Sequence, residues 1–125
     1  MKSFLLKGKI PVSKWGNLPD NTFFRGEIPD GYSLGVSPSE GYIILDVDVK
    51  PNKSGFDNIP EKILEELSKT FNYKTKNNGQ HYWLKTDIDL PNSTSGLNID
   101  VRTSKGYVVW YSNKGFPKGE LGEQL

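Results

Sequence analysis

The sequence predicts an α+β domain: a mostly antiparallel open sheet with one main helix packed on one face. Three observations lead there. Only residues 58–71 repeat their apolar positions at helical spacing, with Ile63, Leu64, Leu67 and Phe71 on one side and Lys62, Glu65, Glu66 and Lys69 on the other. The other apolar residues fall in short extended segments bounded by Pro, Gly and Asn. The 125 residues suit one domain with its own core, and no linker or internal repeat divides them, so 1–125 is read as a single domain.

In chain order, 4–7 and 10–12 are short extended pieces, and the Pro and Gly of the first forty residues work against helix. Residues 32–36 read as a strand. Pro38-Ser39-Glu40-Gly41 then turns into the apolar strand 41–49, in the manner of a hairpin. A polar loop, 49–57, follows, of the kind that carries sites. Asn58 is placed to cap the helix, with Pro60 near its first turn and Glu61 three residues on, and the helix is expected to end near Thr70. Strands are expected at 73–76, 81–86, 97–103 and 107–111. Asn77-Asn78-Gly79 and Ser104-Lys105-Gly106 supply tight turns. Residues 113–125 lack periodicity and read as a loosely ordered tail.

A formal net charge of +1 excludes a global basic field, so any nucleic-acid contact must come from local patches. The absence of cysteine excludes disulfides, thiolate zinc sites and thiol catalysis. The apolar run at the N-terminus is too short for a signal peptide or a membrane span, so a soluble cytoplasmic protein without a membrane partner is expected.

Within Gly41-Tyr42-Ile43-Ile44-Leu45-Asp46-Val47-Asp48-Val49, alternation puts Asp46 and Asp48 on one face of a strand. Two such acids repel unless a cation lies between them, and a hard divalent ion is a common reason to build the pair. An edge strand with one wet face fits the same alternation. His81, the one histidine, opens a strand directly after Asn78-Gly79-Gln80, where Gly79 leaves room for a close backbone approach and the turn N–H groups can cradle an anion. A half-exposed residue without a role is the plain alternative. Asp100 shares the polar face of 97–102 with Asn98 and Arg102, as a site residue or simply as a partner of Arg102.

Taken in order, acid-x-acid on a strand, then a helix, then Gly-x-His, then one acid on a later strand, the chain resembles the archaeo-eukaryotic primase superfamily. It is most similar to the bifunctional primase–polymerase (prim-pol) N-terminal domains of phages and plasmids. Ile43-Ile44-Leu45-Asp46-Val47-Asp48 matches the first motif, Asn78-Gly79-Gln80-His81 with Tyr82-Trp83 the second, and Leu97-Asn98-Ile99-Asp100-Val101-Arg102 the third; Gly106-Tyr107-Val108-Val109 continues it. The resemblance covers about 32–112 and implies an RRM-like core. It implies that Asp46, Asp48 and Asp100 are catalytic and hold Mg²⁺ or Mn²⁺. It also implies that Gly79 and His81 meet the triphosphate of a dNTP or NTP, with Lys85 and Arg102 as further nucleotide contacts. Lys50, Lys53, Lys74 and Lys76 are candidate template contacts, and Trp15, Trp83 and Trp110 are either base-stacking or core residues.

The function so implied is metal-dependent, template-directed nucleotidyl transfer: a DNA polymerase and, by extension, a primase in phage or plasmid replication within a bacterial host. Its partners would be single-stranded or primed DNA and, at the replication fork, a helicase or another replication protein. Two alternatives stay open. One is a non-catalytic nucleic-acid or nucleotide binding accessory protein of the same fold, and the other is metal-dependent phosphodiester hydrolysis.

Overall fold

The computed structural model describes residues 1–111, so the expected tail lies outside the described residues. Its elements in chain order are β1 (Lys2–Lys7), β2 (Ile10–Pro11), β3 (Tyr32–Ser37), β4 (Tyr42–Val47), β5 (Val49–Lys50), β6 (Lys53–Ser54), α1 (Glu61–Leu67), β7 (Asn72–Lys74), β8 (Gln80–Lys85), β9 (Ser93–Thr94), β10 (Ile99–Arg102) and β11 (Val108–Val109). Short 3₁₀ turns, Gly55–Asn58 and Lys76–Asn78, precede α1 and β8. The α+β class with antiparallel pairing is thus what the chain adopts.

The strands form two main sheets, β11-β3-β1-β2 and β7-β8-β4-β10-β9, beside the small β5-β6 hairpin. Alternation along β4 supplies both faces of the larger sheet. Ile44 and Trp83 face the smaller sheet and close a core with Leu34, Val36, Phe71 and Val108. On the opposite face Val47 and Tyr82 pack with Leu67 of α1 and with Phe56 and Ile59. The layers run small sheet, large sheet, helix.

The larger sheet is therefore not open on the face away from the helix, as expected from sequence. The smaller sheet covers that face around Ile44 and Trp83, because Leu34, Val36 and Val108 need an apolar surface of their own to bury against. Two expected reversals also change meaning. β3 pairs with β1 and β11, and β10 with β4 and β9, so Pro38–Gly41 and Ser104–Gly106 carry the chain between sheets and close no hairpin.

Asn58 does not cap α1. Ser54 caps the preceding 3₁₀ turn, Asn58 ends that turn and donates its side-chain amide to the Leu97 carbonyl at 3.1 Å, and Pro60 stands at the helix start without a side-chain bond. The helix stops at Leu67, where the Ser68 and Thr70 hydroxyls bond back to the Glu65 and Leu67 carbonyls, and Ile63 stays half exposed. The β7–β8 connection is a five-residue loop, since Lys74 pairs with Gln80. Its left-handed positions are Asn77 and Asn78, with φ of 62° and 64°. Among the described residues no helix is long and apolar enough to cross a membrane.

Candidate active site

β4 lies between β8 and β10, and the registers put His81 opposite Asp46 on one side and Asp100 opposite it on the other. Tyr73 lies opposite His81, and Thr94 opposite Asp100. Directly opposed residues share a face. Tyr73, His81, Asp46, Asp100 and Thr94 thus form one row across all five strands, facing the smaller sheet. In the next row Trp83, Ile44 and Arg102 are aligned. The first two are covered, and Arg102 reaches back to donate to Asp100 Oδ2 at 3.2 Å.

Asp48 is held differently from the expected strand position. β4 ends at Val47, and two backbone bonds fix Asp48: its N–H donates to the Asn98 carbonyl at 2.9 Å, and its carbonyl accepts from Gly55 N–H at 2.8 Å. Two glycines let the chain close there. A Cβ on Gly55 would stand 2.4 Å from the Asn98 carbonyl oxygen, and one on Gly79 would stand 2.6 Å from both the Val47 carbonyl oxygen and Thr75 Oγ1. Gly79 has an ordinary φ of −72°, so space is what requires glycine at that position, and the close approach it permits is to the end of β4.

These residues open onto a cleft of about 550 Å³. Asp46, Asp48, Asp100, His81 and Arg102 all line it, whereas Gly79 and Lys85 do not. Lys85 sits exposed at the far end of β8, opposite Tyr42, with the covered Trp83 between it and His81. Of the four candidate template lysines only Lys76 lines the cleft. Of the three tryptophans, Trp83 is core and Trp110 stacks on Phe71, while Trp15 stacks on Phe4 (ring centroids 4.9 Å apart) and borders the cleft.

Sequence reasoning missed Lys9, Lys105 and Asn92, which complete the rim. Lys9 follows β1 and Lys105 lies in the turn between sheets. Asn92 is fixed by accepting from Thr103 N–H at 2.7 Å and from its hydroxyl at 3.2 Å. Lys9 and Asn92 come from segments outside the motifs and meet them only when the sheets stack, whereas Lys105 sits in the turn just after the third motif, where a turn lysine carries no local mark of a site.

Electrostatically the cleft has an acidic floor and a basic rim of Lys9, Lys76, Arg102 and Lys105. Burial, and then repulsion from Asp46 and Asp100, push the Asp48 carboxyl above the usual aspartate range. Among the described residues no three His, Asp or Glu side chains are arranged to enclose one ion. Mg²⁺ is commonly held by one or two carboxylates, with water and substrate phosphates completing its shell. A set of hard oxygen donors with one carboxyl under like-charge pressure fits that demand.

A layered antiparallel domain with an acidic row beneath a basic rim has the charge pattern of a phosphate-handling protein. The bifunctional DNA primase/polymerase N-terminal family, Prim-Pol, matches residues 9–119, and the chain belongs to it. The match extends beyond the 32–112 expected from the motifs and takes in Lys9 and Trp15. No curated protein matches the chain significantly. Membership gives it a primase/polymerase role in DNA replication, with nucleotide and DNA template as the corresponding ligands.

Proposed function

We propose that the chain carries out metal-dependent, template-directed nucleotidyl transfer, as a DNA polymerase and primase domain in phage or plasmid replication. The carrying observation is the juxtaposition in one cleft of Asp46, Asp48 and Asp100 with Lys9, Lys76, Arg102 and Lys105. Asp46, Asp48 and Asp100 would hold Mg²⁺ or Mn²⁺, which when bound supplies charge stabilisation for the phosphoryl oxygens. The basic rim attracts the triphosphate and offsets its charge, which concentrates the nucleotide over the acidic row. Arg102 both orients Asp100 and offers donors to phosphate. Trp15, stacked on Phe4 and met edge-on by Tyr107, borders the cleft and would offer its ring to a base. In the reaction a primer 3′-hydroxyl oxygen bonds to the α-phosphorus, its proton passes to water, and the bond to the bridging oxygen breaks to release pyrophosphate.

Extension of a primed template with dNTPs and Mn²⁺ tests the proposal. Incorporation by the wild type and none by Asp46→Ala or Asp48→Ala is expected. No wild-type incorporation, or equal incorporation by both variants, overturns it.

One observation favours a second reading, a binding protein without turnover. Asp46 is paired with His81 and Asp100 with Arg102, so two of the three acids have partners within the chain. Tight single-stranded DNA binding that is indifferent to Mn²⁺ supports that reading, and Mn²⁺-dependent dNTP binding counts against it.

A further inference from the structure

We propose that Asn92 is a nucleotide-binding residue whose side-chain amide donates to the terminal phosphates of the incoming triphosphate, beside Arg102 and Lys105. The proposal deepens the reading above and rests on the cleft taking a nucleoside triphosphate.

The amide is held from one side only. Its Oδ1 accepts from the Thr103 N–H at 2.7 Å and from the Thr103 hydroxyl at 3.2 Å. Thr103 is buried, and it is fixed in turn: its Oγ1 accepts from Lys105 N–H at 3.2 Å and its carbonyl from Gly106 N–H at 2.9 Å. Two donors on one side require the amide oxygen there, so Nδ2 and its two hydrogens take the other side. No described residue accepts from them. Gly106 leaves the room, since a Cβ at that position would stand 2.8 Å from both Oδ1 and Nδ2 of Asn92.

Fixing the turn does not by itself call for an amide. A carboxylate at position 92 would accept the same two bonds, and more strongly. What the amide adds is a pair of donors without a negative charge, in a cleft also lined by Arg102, Lys105 and Lys9. An acid there would pair with those cations and close the rim to an anion. Arg102 uses one nitrogen on Asp100 and keeps its other donors. Arginine and lysine side chains have no acceptors, so together with Asn92 Nδ2 they form a donor-only patch that matches a group made only of acceptors. Phosphate oxygens are such a group, whereas nucleobases and ribose hydroxyls also present donors.

Register assigns the end of the triphosphate. Asp100 pairs with Thr94 and Val101 with Ser93, so Asn92 comes beside Arg102, two residues along the ladder from the acidic row. Two residues of strand span ~7 Å. With the reacting α-phosphate over the acids, that interval is one the β- and γ-phosphates can bridge.

Inorganic tripolyphosphate, titrated without metal, primer or nucleotide, tests the assignment by two readouts. Asn92→Asp keeps the acceptor for Thr103 and loses the donors. Its Tm should equal that of the wild type, while tripolyphosphate binds about tenfold or more weakly, the scale of one hydrogen bond to a charged group. Asn77→Asp adds the same charge elsewhere in the cleft and should weaken binding no more than about threefold. In nitrogen-15 spectra of the wild type, the Asn92 side-chain amide, assigned by its proximity to the Thr103 protons, should shift with tripolyphosphate and stay in place with chloride at equal ionic strength. Equal weakening by the two variants overturns the proposal. So does an Asn92 amide that stays in place, or a wild type that binds no tripolyphosphate. The amide is read on the wild type, so it decides the matter even where Asn92→Asp fails to fold. Neither readout needs metal or turnover, so primer extension can fail with this assignment intact, and the assignment can fail with extension intact.

Discussion

Removing one charge from the acidic floor should stabilise the metal-free fold while disabling the site. Asp48→Asn deletes the carboxylate whose proton affinity is raised by burial and by the charges of Asp46 and Asp100. Side chains two residues apart on an extended chain stand ~7 Å apart. Unit charges at that distance repel by about 0.6 kcal/mol in bulk water and about 2.4 kcal/mol at an effective dielectric of 20. Asp48 is partly exposed and salt screens it, so the lower figure applies to the Asp46 repulsion; Asp100 repels in the same direction, for a total on the order of 1 kcal/mol. In a domain of this size that amounts to a rise in Tm of about 3–5 °C. Because the folded chain holds the Asp48 proton more tightly than the unfolded one, the wild type is free of this penalty below the ordinary value of 3.8 and incurs it as pH rises through the raised value. The gap between variant and wild type should therefore open between acid and neutral pH. Thermal melts in chelator check this, at low salt and at about 1 M salt, where the Debye length falls to about 3 Å. A lower Tm for Asp48→Asn, or a gain unchanged by salt and pH, refutes the reasoning. Added Mn²⁺ should reverse the order by stabilising the wild type more than the variant.

Further outcomes are expected elsewhere in the site. Gly55→Ala and Gly79→Ala each force a Cβ against backbone oxygen and should cost about 1–3 kcal/mol in denaturant melts. Unchanged midpoints would show that the chain around Asp48 is not closed as described. Arg102→Ala should weaken dNTP binding about tenfold, the scale of one charged hydrogen bond, whereas Lys85→Ala should leave it within about twofold. Calorimetric titration checks this pair, and an equal loss for Lys85 would contradict its placement outside the cleft. Trp15→Ala should weaken single-stranded DNA binding by about 1–3 kcal/mol if the ring carries a base. Binding equal to wild type would restrict Trp15 to its packing on Phe4.

The period-two alternation of 42–47 and 99–102 was legible because it records which residues face which way along one strand. Asp46 and Asp100 therefore came out on polar faces before any partner strand was known. The helix was legible from Leu64 and Leu67, but neither its start nor its end was: Ile63 is exposed, and Phe71 lies beyond Leu67 in the core between the two sheets. Asn58 has the chemistry of a cap, and a competing 3₁₀ turn that begins at Ser54 engaged it instead. Asp48 seemed to continue the strand, yet the ladder ends one residue earlier and loop backbone takes over.

The sequence by itself determined the class of the domain, its family and the residue types brought to the site: three acids, one histidine and an arginine in a fixed order. Those follow from local periodicity and motif order, which are properties of neighbours along the chain. Only the tertiary structure decided that His81, Asp46 and Asp100 share one row, that His81 meets the Tyr73 hydroxyl, and that Lys9 and Lys105 complete a basic rim while Lys85 stays outside it. Register and sheet stacking select partners far apart in the chain by how well their faces bury against each other, and no local pattern carries that information.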